Sequence, residues 1–207
     1  MVVTGISSPA FMIAGMGKSW TWRWSGHDCT LVDPYDPEEQ PMKFTNAIGS
    51  MGKFYALSLH GTLAFIEEVD SEFRITCIGK NRVLPSVPSR HFKEYLTESD
   101  GVILLIFLIC RKSIHNVDDV EVFRLDFSRL SWLKMESIGD RTLFLVTNCC
   151  MSVGASKVGC KSNRVYFTRR VDDEWQKFDM ASGSISPSYN TMGSKMKFPA
   201  WDEPVAE

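Results

Sequence analysis

The chain has no long hydrophobic run, no excess of either charge and no cysteines at metal-ligand spacing. Each absence removes a class of function. The longest apolar stretch, Val102 to Cys110, has nine residues and runs directly into Arg111 and Lys112. A membrane helix needs about 20 apolar residues, so this run reads as a strand buried on both faces. The 23 basic and 25 acidic side chains leave a formal net charge of −2, without the basic excess of a nucleic-acid binder. Neither a membrane nor a nucleic acid is expected as a partner. Met1 opens onto VVTGISSPAF, which offers no basic start, apolar core or cleavage site, so no secretory signal is read.

Chemistry is scarce too. The six cysteines (Cys29, Cys77, Cys110, Cys149, Cys150 and Cys160) follow no CxxC pattern and read as reduced thiols of a cytoplasmic or nuclear protein. His27 and Cys29 come nearest to a metal pair, but no second pair stands at ligand spacing, so no metal or other cofactor is expected. There is no G-x-S-x-G elbow and no HExxH. Two segments imitate a P-loop: AGMGKS (14–19) and GASKVGCKS (154–162). The first has Met12 at the first glycine position, and Cys160 breaks the second. Each runs on into a strand, where the phosphate cradle needs a helix N-terminus. His27, His60, His91 and His115 are scattered and form no nucleophile–base pair. No catalytic residue is expected, and the chain is not read as an enzyme.

What is present is a period. Three β-like runs close on glycine: SWTWRWSG at Gly26, EFRITCIG at Gly79 and SWLKMESIG at Gly139, 53 and 60 residues apart. Each is followed by a restart: GKFYALS from Gly52, GVILLIFL from Gly101 and NRVYFT from Asn163, lying 26, 22 and 24 residues beyond their glycines. Short strands in a repeat of about 50 residues predict an all-β, kelch-like β-propeller with one four-stranded blade per repeat. The expected form is incomplete, with about three fairly complete blades and parts of others. Residues 1–190 make one propeller domain, and 191–207 a tail that is loosely docked or disordered. The runs FYALS, VILLIFL and VYFT are expected as inner strands. Residues 27–51 and 80–100 read as connections, the second carrying a short piece at 90–96 with possible helical character.

Two segments suggest a binding rim. RKSIHNVDD (111–119) and RRVDDE (169–174) each carry a basic pair followed by an acidic pair. Both are expected to link the first and second strands of a repeat, and so to emerge on one propeller face. Arg111, Lys112, Asp118, Asp119, Arg169, Arg170, Asp172 and Asp173 are the candidate partner-binding residues, because function on a rigid scaffold concentrates in loops. The competing reading is a solvated hairpin with local charge pairing.

Several segments resemble the KIB-type β-propeller family, a plant domain found behind F-boxes. They are GKFYALSLHGTLAFIEE (52–68), SRHFKEYLTESDG (89–101), VDDVEVFRLDFSRLSWLKMESIGDRTLFL (117–145) and NCCMSVGASKVGC (148–160). The resemblance extends from about Val2 to Pro187, is most specific over 122–145, and is closest to versions found in grasses. It implies a kelch-like propeller with no catalytic residues to carry over. In F-box members the propeller is the substrate-receptor half of an SCF-type ubiquitin ligase. Some relatives without an F-box act elsewhere, including in organelles. An F-box is a helical module of about 40–50 residues, and no helix-period segment of that kind is seen. A Skp-type adaptor is therefore not an expected partner, whereas an unidentified protein target is. Self-association through open sheet edges is a further expectation. The alternatives are a shortened regulatory paralogue, a non-functional truncated product, and a propeller enzyme or small-molecule binder using the central tunnel.

Overall fold

The structure, a computed structural model, describes residues 3–4, 10–14, 22–26, 44–51, 53–69, 72–78, 83–86, 91–146, 149–168 and 174–188. The expected turn at Gly15-Met16-Gly17, the acidic proline-rich stretch 33–41, the closing Gly79 and the tail 191–207 lie outside them. The described residues are almost entirely strand, in four sheets. A three-stranded sheet holds β1 (Val3–Thr4), β2 (Ala10–Ala14) and β3 (Trp22–Gly26). A four-stranded meander follows with β4 (Phe44–Ser50), β5 (Lys53–Ser58), β6 (Leu63–Val69) and β7 (Glu72–Cys77). The next meander is β8 (His91–Ser99), β9 (Val102–Cys110), β10 (Asp119–Asp126) and β11 (Ser131–Met135). The chain continues through β12 (Arg141–Val146), β13 (Cys149–Gly154), the one-turn helix α1 (Ala155–Val158), β14 (Arg164–Thr168), β15 (Trp175–Asp179) and β16 (Ser184–Pro187). These are the radial sheets of a partial β-propeller.

The blades are held face to face by β9. Its alternate residues serve two cores, because successive side chains of a strand point to opposite faces. Leu104, Ile106 and Leu108 join Val120, Val122, Leu143, Leu145, Val165 and Phe167 in one. Ile103, Leu105, Phe107 and Ile109 join Tyr55, Leu57, Leu63, Phe123 and Leu125 in the other. The expectation of a strand buried on both faces holds. Phe107 is 1 % exposed and meets Phe92 and Phe123 edge-on at 5.4 and 5.8 Å. On the last sheet, away from the first core, Phe144 stacks on Tyr166 at 5.1 Å and meets Trp175 edge-on at 6.2 Å.

The phase of the repeat differs from the sequence reading. Each meander begins one strand earlier, with β4 and β8, which read as parts of connections. Residues 91–99 are not helical: β8 pairs with β9 along its whole length, from His91↔Cys110 to Ser99↔Val102. The two strands are joined by Asp100 and Gly101, at φ 50 and 78. Positive φ at both positions gives the turn whose twist suits a tight hairpin. The inner strands are therefore β4, β8 and β13, since β4 and β13 both lie against β8. FYALS and VILLIFL stand second from the axis, and VYFT third. The polar character of β8 (Lys93, Glu94, Thr97, Glu98) hid it, because an inner strand faces its neighbours across the axis and gives the two apolar cores only Tyr95 and Leu96.

The last sheet has five strands, in the order β13-β12-β14-β15-β16, with β12 and β14 parallel. The chain enters at β12, turns inward to β13, and crosses back through α1 to the far side of β12. Gly139 at φ 61 makes the turn into this sheet, a conformation that costs glycine little. Ile138 packs into the first core, and its amide donates to Asn163 Oδ1 at 2.9 Å.

Candidate functional site

The loop 111–118 joins β9 to β10, the second and third strands from the axis, not the first and second as expected. Asp118 organises it. Its carboxylate accepts from the amides of Arg111 at 2.6 Å and Lys112 at 3.3 Å, while its own amide donates to Ile109 O at 2.8 Å. Arg111 Nη2 pairs with Asp119 Oδ2 at 2.9 Å. Of the four predicted charges in this loop, Arg111 and Asp119 thus pair with one another, and Asp118 bonds the loop's own amides. What the loop presents to solvent is Arg111, Lys112, Ile114, His115, Asn116 and Asp118. Arg169, Arg170, Asp172 and Asp173, expected between β14 and β15, lie outside the described residues.

A second polar grouping lies along the inner strands. Thr45 Oγ1 donates to Glu94 Oε1 at 2.8 Å, and Asn46 Nδ2 to Glu94 O at 3.4 Å, tying β4 to β8. Thr97 Oγ1 donates to Cys150 O at 3.5 Å, and the hydroxyls of Ser99 and Ser152 lie 2.8 Å apart, tying β8 to β13. These matched steps make β8 and β13 run in the same direction. Arg141, the first residue of β12, completes the end of this ladder. Its Nε donates to Ser99 Oγ at 3.0 Å and Ser152 Oγ at 3.1 Å, and its Nη1 pairs with Asp100 Oδ2 at 3.0 Å. Ser50, at the corresponding end of β4, is buried, and among the described residues its Oγ has no hydrogen-bond partner.

The sequence reading missed these residues. FYALS, VILLIFL and VYFT, expected as the inner strands, offer few polar groups, and they are not the inner strands. The signal was there: Asp100-Gly101 is a hairpin dipeptide flanked by strand-like sequence, and it places Ser99 at a strand end.

A third grouping is structural. Glu121 is 3 % exposed on β10. It accepts from Lys134 Nζ at 2.7 Å, from the Ser86 amide at 2.9 Å and from the Ser86 hydroxyl. Burial pushes its pKa up, but the hydrogen bonds from Lys134 and Ser86 outweigh that and hold it below the ordinary glutamate value. The carboxylate thus anchors the connection 83–86 against the blade. Burial, with the Cys150 thiol adding to it, pushes the Tyr95 phenol far above its ordinary value, so that group stays neutral. His60 lies in the turn between β5 and β6, where its amide donates to Ser58 Oγ at 3.2 Å. Among the described residues, no group of three or more His, Cys, Asp or Glu side chains could hold a metal ion, and no helix is long and apolar enough to cross a membrane.

A family model described as KIB1-4 beta-propeller matches residues 1–192. Among curated relatives, F-box protein At4g35733 of Arabidopsis thaliana is 26% identical over 189 residues, covering 85% of this chain and 50% of the relative. Putative F-box protein At3g25750 of the same plant is 27% identical over 161 residues, or 72% of this chain and 42% of the relative. F-box protein At2g17690 is 34% identical over a shorter stretch of 67 residues, 32% of this chain and 16% of the relative. The chain thus spans half or less of the length of each. No solved structure matches.

Proposed function

The chain belongs to the KIB1-4 β-propeller family, and from that membership we propose that it is a non-catalytic protein-interaction module. In the finer form of the proposal it recognises a protein target, either as the substrate-binding part of an SCF-type ubiquitin ligase or as a shortened regulatory relative of such receptors. The observation that carries this reading is the family match over residues 1–192, together with relatives that are themselves named F-box proteins. The fold supports it physically. A scaffold with β9 buried on both faces is rigid, and loops on rigid scaffolds are where recognition concentrates.

Affinity capture from plant extract is the test. The purified chain is expected to retain a defined protein target and no Skp-type adaptor. Charge reversal at Arg169 and Arg170 is expected to weaken that capture. Unchanged capture would remove those two arginines from the rim, and failure to retain any protein would sink the reading.

The polar inner strands favour a second reading, a small-molecule binder using the propeller axis. Thr45 and Glu94 on one side of β8, and Thr97, Ser99 and Ser152 on the other, supply polar groups of the kind such a site needs. Saturable binding of a metabolite class, lost on changing those residues, would favour it.

A further inference from the structure

Arg141 is held for a purpose that inter-blade bonding does not exhaust. Two serine hydroxyls, Ser99 and Ser152, fix its Nε, and among the described residues its Nη1 pairs with Asp100. The Arg141 side chain is 20 % exposed, whereas that of Asp100 is 72 % exposed. An ion pair with so exposed a carboxylate contributes little and exchanges readily with other anions. A planar guanidinium fork fits a carboxylate with two parallel bonds.

The surroundings add a second cation. Gly154 has φ −70 and ψ 115, a conformation open to any residue, so backbone freedom does not account for the glycine. Space does. A Cβ there would lie 3.3 Å from Lys157 Cδ and 3.7 Å from Arg141 Nη1. The Lys157 stem and Arg141 Nη1 thus both come within 4 Å of one point over a bare stretch of backbone. The other nearby acid, Asp140, is engaged: its carboxylate accepts from the amide and hydroxyl of Ser156.

We propose that Arg141 and Lys157, over Gly154, form a carboxylate-binding subsite at the end of the inner strands, which takes an acidic side chain of the bound partner protein. Asp100 is its internal stand-in, occupying Arg141 until a partner's carboxylate displaces it. The proposal rests on the reading of the chain as a protein-interaction module and adds the chemistry that one contact recognises.

The test follows the Arg141 Nε–Hε signal in the arginine-labelled full chain, assigned by its loss in Arg141→Lys. The probes are a short glycine peptide with one central glutamate, the same peptide with glutamine, and inorganic phosphate. The glutamate peptide is expected to shift the signal saturably, and the glutamine peptide is not. Asp100→Asn removes the competitor, keeps a residue that tolerates positive φ, and is expected to tighten binding about two- to fivefold. Gly154→Ala is expected to weaken binding modestly by pushing the Lys157 stem aside.

A signal that the glutamate peptide leaves unmoved overturns the site, as does Asp100→Asn binding no tighter than the parent chain. Phosphate binding more tightly than the peptide overturns the carboxylate assignment. The capture experiment separates the two claims. Capture that is unchanged in Asp100→Asn and Gly154→Ala, with an unmoved signal, sinks the subsite and spares the interaction module. A shifted signal with no protein captured does the reverse.

Discussion

β8 and β9 are neighbours in one sheet, joined by a two-residue turn and paired along their full length, yet they have opposite compositions. β9 reads VILLIFLIC and β8 reads HFKEYLTES. The difference follows radial position. β9 lies between two blade interfaces and feeds an apolar core on each face. β8 also contributes Tyr95 and Leu96 to those cores, one to each. Toward the axis it meets β4 and β13 through hydroxyls, an amide and a carboxylate. Apolar strength in this fold therefore peaks one strand out from the axis, and polar specificity sits at the axis.

The sharpest way to break that comparison is to empty the centre of β9. Phe107→Ala removes a fully buried ring flanked by Phe92 and Phe123, and is expected to cost about 3–5 kcal/mol. Lys93→Ala on β8, which loses an ammonium 5.0 Å from the Tyr95 ring centroid, is expected to cost about 0.5–1 kcal/mol. Urea unfolding of both variants measures the contrast, and equal losses would refute the radial account.

That account also explains what the sequence made legible. Strand β9 was readable because nine consecutive apolar residues bounded by a turn have few other homes. The second strands and the outer ones followed, and with them the propeller. β4 and β8 were not readable as strands, since Thr45, Asn46, Glu94 and Thr97 are polar for reasons that lie on other strands. The same blindness hid Arg141, whose partners Ser99 and Ser152 are 42 and 11 residues away. In the rim loop the residues were found, and local charge pairing, the competing reading, describes Arg111 with Asp119; the backbone bonds of Asp118 were not anticipated. Asp118 takes two backbone amides, which spacing alone does not announce.

A middle-sized effect is expected at Glu121, the acid that fastens the connection 83–86 to β10. Its folded pKa lies below its ordinary value, so the ionised form is the one that stabilises. That contribution is fully present above the unfolded-state pKa and is lost as pH falls through the folded one. Glu121→Gln is expected to cost about 1–3 kcal/mol at neutral pH. The gap to the parent chain is expected to close in acid, below the ordinary glutamate value of 4.5. A gap independent of pH would show that shape, and not charge, holds this connection. A comparable but pH-independent loss is expected at the β8–β9 turn. Gly101→Ala forces a side chain to φ 78, at about 1–2 kcal/mol.

The smallest effect is expected where the charges are most conspicuous. Arg111 and Asp119 have side chains 45 % and 29 % exposed, so their pair is screened by water and salt. Arg111→Ala is expected to cost about 0.2–1 kcal/mol at low salt and almost nothing in 1 M salt. Asp118 differs, because its carboxylate is bonded to two backbone amides that open the loop. Asp118→Ala is expected to cost about 1–2 kcal/mol and to keep most of that cost in high salt. The two variants separate the loop's charge from its shape. If a partner binds this rim, Asp118→Ala should disturb recognition through the loop's conformation, while Arg111→Ala should alter only the salt dependence of association. Equal sensitivity of the two to salt would mean that the loop is held by long-range charge and not by the amide bonds of Asp118.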